Sequence, residues 1–178
     1  NVTETAKDGT YTLPGHARQR FIFITTPSGY KTLNKHYHKI DSRTNGYDFG
    51  LLTYHPGIGK DGSHQYVHVS DTEIFNTEGN EAWVRNIREY AANENAAFII
   101  HTGDICYENG MKKHIKLMNT ENMNVPVFYC IGNHDLVKGK YGEEVFENNY
   151  GPVYYSFDVA NVHYIVTPMP GCVQMAEK

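Results

Sequence analysis

The stretch Pro126-Val-Phe-Tyr-Cys-Ile-Gly-Asn-His-Asp135 joins a short apolar run directly to a glycine, an amide, an imidazole and a carboxylate. The apolar run lies between a proline and a glycine and has the length of a buried β-strand. Polar side chains that follow such a strand lie in a loop that a rigid sheet holds in place. The stretch therefore predicts an α/β sheet with a functional site at the end of a strand.

Two earlier stretches have the same arrangement of an apolar run followed by polar residues. Ser70-Asp-Thr-Glu73 follows Tyr66-Val-His-Val69, and His101-Thr-Gly-Asp104 follows Ala97-Phe-Ile-Ile100. An aspartate after a strand is by itself more often a turn former or a helix cap than a ligand. Three such clusters at three successive strand ends favour one shared site, because the loops at one edge of an α/β sheet converge.

The segments around these strands alternate between apolar runs and amphipathic stretches, which is typical of α/β layers. Within 81–90, Trp83, Val84, Ile87 and Tyr90 recur at helical spacing and predict a helix that packs on the core. Further helices are predicted at about 110–119 and about 142–149. The complete set of predicted strands in this region is 66–70, 97–102, 126–131, 154–158 and 162–166.

Residues 1–62 are rich in threonine, tyrosine, glycine and proline. Short runs at 11–13, 20–25 and 47–54 are separated by turn-forming pairs, a pattern that is typical of a small all-β unit. We therefore predict a β-rich domain over 1–62 and an α/β domain over 63–178.

The bulk composition limits the class of partner. A net charge of -4 and a pI near 6.2 make nucleic acid an unlikely partner, because phosphate backbones are normally bound by a basic surface. No apolar run approaches the roughly 18 residues that a membrane span needs. The three cysteines form no CxxC pair and predict buried thiols. A phosphate substrate would therefore need metal ions to supply positive charge.

The oxygen-rich clusters suit hard divalent cations, which prefer carboxylate and amide ligands. Two cations held close together need one carboxylate that binds both. Asp104, on the middle one of the three loops, is our candidate for that bridge.

Three motifs, Asp71-Thr-Glu73, Gly103-Asp-Ile-Cys-Tyr107 and Gly132-Asn-His-Asp135, resemble the first three signature blocks of calcineurin-like metallophosphoesterases. The resemblance covers the chain from about residue 65 to about residue 170, because 150–158 and 162–165 look like the two strands that follow these blocks. Residues 1–62 resemble the small β-rich N-terminal domain of a secreted bacterial subgroup. The resemblance implies a pair of sheets flanked by helices and a periplasmic or secreted location.

The resemblance also implies a site for two divalent metal ions, with Mn, Mg, Fe and Zn all left open. By position, Asp71 binds the first ion, Asp104 bridges the two and Asn133 binds the second. Glu73 stands where the family commonly has a histidine, so we expect a ligand that favours harder ions there.

The proton chemistry implied by the resemblance falls on Gly132-Asn-His-Asp135. His134 lies beside the metals and supplies a proton to the leaving group, since an imidazole titrates near neutral pH. Asp135 either orients His134 or caps the following segment.

One feature of the family is missing between Asp135 and Lys178, namely the later histidine ligands with their GHxH block. Only His163 remains there, and its apolar strand predicts a structural role. We therefore expect an incomplete fragment that is inactive by itself and can self-associate through exposed strand edges. The predicted function is metal-dependent hydrolysis of phosphate monoesters or diesters, and the alternative is a non-catalytic binding module on the same fold.

Other histidines and a cysteine have weaker interpretations. His36 and His38 could hold a transition metal, but a solvated strand face is preferred because no third ligand is near in sequence. His68 is expected at a sheet interface, and His101 has no assigned role. Cys106 is interpreted as a buried thiol because its neighbouring donors are hard oxygens.

Overall fold

A computed structural model of the protein describes residues 1–44, 46–73, 80–105, 108–136 and 141–168. The part that positions the site is a parallel sheet of three strands in the order β5 (Val67–Val69), β6 (Ile99–His101) and β7 (Val127–Tyr129). Helix α1 (Asn80–Asn93) connects β5 to β6. Helices α2 (Glu108–Leu117) and α3 (Thr120–Met123) connect β6 to β7. The predicted α/β class with a β-rich N-terminal region is confirmed.

Two of the connecting helices follow from their apolar spacing, and the third follows from its caps. Val84 and Ala91 of α1 are buried in the core, and Trp83 and Ile87 pack against it. Helix α3 was not predicted, because a single turn is too short to show a period. Its ends are fixed by Asn119, whose side chain accepts from the Asn122 N–H, and by Asn124 in the left-handed conformation.

A hairpin forms the second layer of the α/β part. Strands β8 Tyr155–Val159 and β9 Val162–Val166 pair antiparallel. Alternation along β8 turns Tyr155, Phe157 and Val159 inward, where they pack against β6 and β7. The rings of Phe128 and Phe157 stack with their centroids 3.6 Å apart. In the sequence, helix α4 (Glu144–Tyr150) comes between β7 and the hairpin. Its buried Phe146 belongs to the core on the helix side of the sheet.

Short antiparallel pairs make up the N-terminal region. Strand β1 (Phe21–Phe23) pairs with β3 (Tyr37–Lys39), and β2 (Tyr30–Thr32) pairs with β4 (Leu51–Thr53). The runs at 20–25 and 47–54 each contain a strand, as predicted. The run at 11–13 contains no strand.

The N-terminal region packs directly on the α/β part. Thr26 forms a parallel bridge with Phe157, and the Arg20 guanidinium lies 2.7 Å from the buried carboxylate of Glu147. The domain boundary at residue 62 stays a prediction. The solvated strand face expected for His36 is wrong: its ring is buried and lies 4.5 Å from that of Tyr155. None of the described helices is both long and apolar enough to cross a bilayer.

Candidate metal site at the ends of the parallel strands

Three loops leave the carboxyl ends of the parallel strands and meet at one edge of the sheet. We call them loop 1 (residues 70–73, after β5), loop 2 (residues 102–105, after β6) and loop 3 (residues 130–136, after β7). Backbone hydrogen bonds join the first two. The Asp71 N–H donates to the Gly103 carbonyl at 3.1 Å, and the Glu73 N–H donates to the Asp104 carbonyl at 3.2 Å.

Three carboxylate residues of these loops have a left-handed backbone. The φ angles are 52° at Asp71, 40° at Glu73 and 50° at Asp104. Residues other than glycine adopt this region at a cost of about 1–3 kcal/mol each, and such strain concentrates at functional sites. Its repetition at three predicted ligands indicates that the fold holds these side chains in one particular arrangement.

Loops 2 and 3 touch through two glycines. A Cβ added to Gly103 would lie 2.5 Å from the backbone of Gly132, and one added to Gly132 would collide with the backbone N and the carboxylate of Asp104. Any side chain at either position would push the loops apart. The glycine in each motif is therefore explained by close backbone approach.

The structure brings three of the predicted metal ligands to one cleft. Asp71, Asp104 and Asn133 line an open cavity of about 310 Å³, which Thr167 and Pro168 border on another side. The Asp104 Oδ1 accepts from the His134 N–H at 3.0 Å, so one carboxylate oxygen is already fixed. Two carboxylates and an amide are hard oxygen donors, which fits a hard divalent cation.

Glu73 pairs with His134, which also lies near the Asp104 carboxylate. The Glu73 Oε1 lies 2.6 Å from the His134 Nδ1, and the Asp104 Oδ2 lies 4.0 Å from the same nitrogen. The hydrogen bond to Glu73, aided by the charge of Asp104, raises the pKa of His134. Neither Glu73 nor His134 is among the residues that line the cavity. The assignment of Glu73 as a metal ligand stays a prediction.

Asp135 joins loops 2 and 3 through hydrogen bonds from its buried side chain to both loops. Its fully buried carboxylate accepts from the Ile105 N–H and from the Gly132 N–H, both at 2.8 Å. These contacts fix the 3-10 turn Asn133–Asp135, which carries both Asn133 and His134. The predicted role of Asp135, either in orienting His134 or in capping the following segment, stays a prediction.

The described residues do not include a complete metal site. Across the described parts of the chain, no three histidine, cysteine, aspartate or glutamate side chains gather closely enough to hold an ion by themselves. Cys106 and Tyr107 of the second motif lie outside the described residues. The cleft therefore offers a partial set of oxygen donors.

Three histidines have surroundings that the sequence did not reveal. His101 is fully buried beneath loops 1 and 2. The sheet-interface position expected for His68 is wrong, because the ring is exposed and bonds to the Thr102 hydroxyl at 2.7 Å. His163 pairs with Asp158 at 2.6 Å on the outer face of the hairpin. Sequence separation hides such contacts, since each joins two residues on different strands or loops.

Comparison with known families gives two matches. Residues 64–171 match the family model described as calcineurin-like phosphoesterase. Residues 1–53 match the model described as the N terminal of calcineurin-like phosphoesterase. No curated protein matches the chain.

Proposed function

The chain belongs to the calcineurin-like phosphoesterase family, and we propose that it hydrolyses phosphate esters with two divalent metal ions bound at the cleft between loops 1, 2 and 3. Membership implies a metal-dependent phosphoesterase. The observation that supports the location is the convergence of Asp71, Asp104 and Asn133 on one cavity.

In this proposal each loop supplies one oxygen donor. Asp71 holds one cation, Asn133 holds the other, and Asp104 is shared because its loop lies between the other two. Bound cations would neutralise the phosphate oxygens and promote attack by water. The ions would also attract an anionic substrate, which the chain itself repels because its net charge is -4.

His134 is the proposed proton donor to the leaving group. Glu73 contacts its Nδ1 at 2.6 Å, which fixes the orientation of the ring beside the Asp104 carboxylate. Because that contact raises the pKa of His134, a larger fraction of the rings carries a proton at neutral pH. A leaving alkoxide needs such a proton, and general acids typically contribute about 10²–10⁴-fold to the rate.

We also propose that the 178 residues alone turn over slowly. Two cations that each prefer about six ligands need more donors than Asp71, Glu73, Asp104 and Asn133 can give. The pairing of Glu73 with His134 reduces the number of donors further. Cation binding without efficient hydrolysis is therefore expected.

A binding module without catalysis is the second candidate. It is favoured by Glu73, which stands where the resemblance places a histidine ligand and which binds His134 in this structure. In that case the cleft would hold a phosphate ester or a single cation without turnover.

Hydrolysis of p-nitrophenyl phosphate and bis-p-nitrophenyl phosphate, with and without Mn²⁺, separates these possibilities. We expect Mn²⁺ binding with slow turnover that Asp104→Asn abolishes. Fast Mn²⁺-dependent turnover would contradict the slow-turnover proposal. Mn²⁺ binding with no turnover above the Asp104→Asn variant would favour the binding module, and the absence of both binding and turnover would overturn the proposed metal site.

Self-association is a further proposal about partners. Within the described residues, β9 pairs with β8 on one side only, and Ile165 of β9 is 62% exposed. An exposed apolar edge strand can pair with a second copy of the chain. Sedimentation at increasing protein concentration tests this, and a single monomeric species throughout would contradict it.

A further inference from the structure

His101 ends strand β6 and lies directly beneath loops 1 and 2. Its ring is fully buried. The Nδ1 accepts from the Gly103 N–H at 3.3 Å, and the Nε2 lies 3.0 Å from the Thr72 hydroxyl oxygen. Gly103 directly precedes Asp104, and Thr72 lies between Asp71 and Glu73. One imidazole therefore contacts both of the loops that carry the predicted carboxylate ligands.

The hydrogen bonds around this ring are consistent with only one neutral tautomer. A nitrogen that accepts a hydrogen bond carries no proton, so the Gly103 contact assigns the lone pair to Nδ1 and the proton to Nε2. The Thr72 hydroxyl has a single proton, and it donates to the Ile105 carbonyl at 2.8 Å. Its oxygen must then accept from the His101 Nε2–H. The chain of donors runs from Gly103 through His101 and Thr72 to Ile105.

Burial keeps this ring neutral. It lowers the pKa of His101 to about 4, and the nearby negative charge of Asp71 offsets only part of that effect. The second buried ring, His114, lies 5.3 Å away in an edge-to-face arrangement, and burial lowers its pKa to about 3. A proton on the His101 Nδ1 would face the Gly103 N–H and remove its acceptor.

We propose that His101, as the neutral Nε2–H tautomer, and Thr72 form a positioning pair that locks loop 1 against loop 2 and so sets the separation of the Asp71 and Asp104 carboxylates. This rests on the proposed function, because those carboxylates matter as metal ligands only if the cleft binds cations. Neither residue lines the cleft, so the pair acts through the backbone of the loops.

The physical reason for such a pair lies in the strain of loop 1. Both residues that flank Thr72 have a left-handed backbone. A side chain with two hydrogen bonds below the loop stabilises this conformation against relaxation. The contact partners of metal ligands commonly change metal affinity by about 10–100-fold when they are removed.

A double-mutant cycle on Mn²⁺ affinity tests the pair. Thr72→Val removes the hydroxyl and keeps the shape, whereas Thr72→Ser keeps the hydroxyl. His101→Asn keeps an acceptor for the Gly103 N–H and loses the donor to Thr72. We expect Thr72→Val and His101→Asn each to weaken Mn²⁺ binding about tenfold. The double variant should bind no more weakly than Thr72→Val alone, because Thr72→Val already removes the His101–Thr72 hydrogen bond together with the bond from Thr72 to the Ile105 carbonyl.

Two controls separate positioning from general loss of stability. Thr72→Ser should retain the wild-type affinity to within about twofold, and so should His114→Asn, which alters the neighbouring buried ring and leaves the His101–Thr72 hydrogen bond in place. The ¹⁵N chemical shifts of the imidazoles give a second readout that needs no metal. They should show a His101 ring protonated at Nε2 alone.

Each outcome decides the proposal. Three results would overturn the positioning pair and leave the proposed function standing. They are Mn²⁺ affinity that Thr72→Val leaves unchanged, losses of Mn²⁺ affinity that multiply in the double variant, and a His101 ring protonated at Nδ1. A wild-type protein that binds no Mn²⁺ would overturn the proposed function together with the positioning pair.

Discussion

At the scale of single residues, Gly132 shows how closely loops 2 and 3 are packed. Its φ is -103°, which any residue can adopt, so its requirement for glycine is steric alone. Gly132→Ala would drive a methyl group into the backbone and carboxylate of Asp104. We expect the variant to lower the free energy of unfolding by about 1–3 kcal/mol and to weaken Mn²⁺ binding.

Thermal unfolding and Mn²⁺ titration measure both effects. Gly15→Ala is the matched control, because an added Cβ there meets no atom within 4 Å. A Gly132→Ala variant with the stability and affinity of the Gly15→Ala variant would show that the two loops are free to separate.

Glu73 has two possible partners, a metal ion and His134. If it is a ligand, its carboxylate favours hard ions, and Glu73→His should raise the affinity for Zn²⁺ relative to that for Mn²⁺. Competitive titration of both ions measures the ratio, with exposed Glu4→His as the control for an added surface imidazole. An unchanged ratio would assign Glu73 to His134 alone.

At the scale of secondary structure elements, the β8–β9 hairpin gives the most direct test of self-association. Val162 and Ile165 are exposed on β9, whose other edge pairs with β8. A lysine on an edge strand opposes pairing with another chain. Sedimentation should therefore show that Ile165→Lys lowers the dimer fraction expected at high protein concentration, whereas Tyr90→Lys on α1 does not. Equal dimer fractions in both variants would place the contact elsewhere.

The elements differ in how far the sequence predicts them. Strands β5 to β9 were predicted because each apolar run is bounded by turn-forming or polar residues. Strand β2 and helix α3 were not, since Tyr30–Thr32 and Thr120–Met123 contain no apolar run and no helical repeat of apolar residues. The convergence of loops 1 to 3 follows from parallel strand order. The Asp135 contacts, the glycine approach and the burial of His101 depend on tertiary distances that no local pattern encodes.

At the scale of the whole molecule, buried histidines make stability depend on pH. Burial lowers the pKa of His36 to about 4, and those of His101 and His114 fall to about 4 and about 3. The same rings have a pKa near 6.5 when unfolded. Between these values the unfolded chain binds more protons, so the contribution is complete above about pH 6.5 and is lost as the pH falls toward 4.

We therefore expect the free energy of unfolding to decrease from pH 7 to pH 4, with each such histidine adding up to about 1.4 kcal/mol per pH unit. Urea unfolding at several pH values measures the slope. His36→Phe should make the slope shallower, because this ring packs among Tyr37, Phe128 and Tyr155 and its Nε2 has no hydrogen-bond partner within the described residues. Exposed His55→Phe is the control, and equal slopes in the two variants would contradict the assignment.

The N-terminal region and the α/β part share contacts across the whole molecule. Glu147 of α4 is buried and accepts from the Arg20 guanidinium at 2.7 Å and from the Tyr141 hydroxyl at 2.6 Å. The Lys31 side chain donates a hydrogen bond to the Asn124 side chain, and the Tyr54 hydroxyl donates one to the Ala96 carbonyl. Both acceptors belong to the α/β part. None of the described residues of the N-terminal region lines the cleft, so these contacts support the sheet and supply no described residue to the site.

The central claim is that three strand ends form one cation site, and Mn²⁺ binding followed by electron paramagnetic resonance tests it most directly. The protein should bind Mn²⁺, and Asp104→Asn should lose most of that affinity because Asp104 is the donor shared by both proposed ions. Asp158→Asn, which removes a carboxylate on the hairpin outside the cleft, should bind as the wild type does. Equal Mn²⁺ affinity in the wild type and Asp104→Asn would contradict the account.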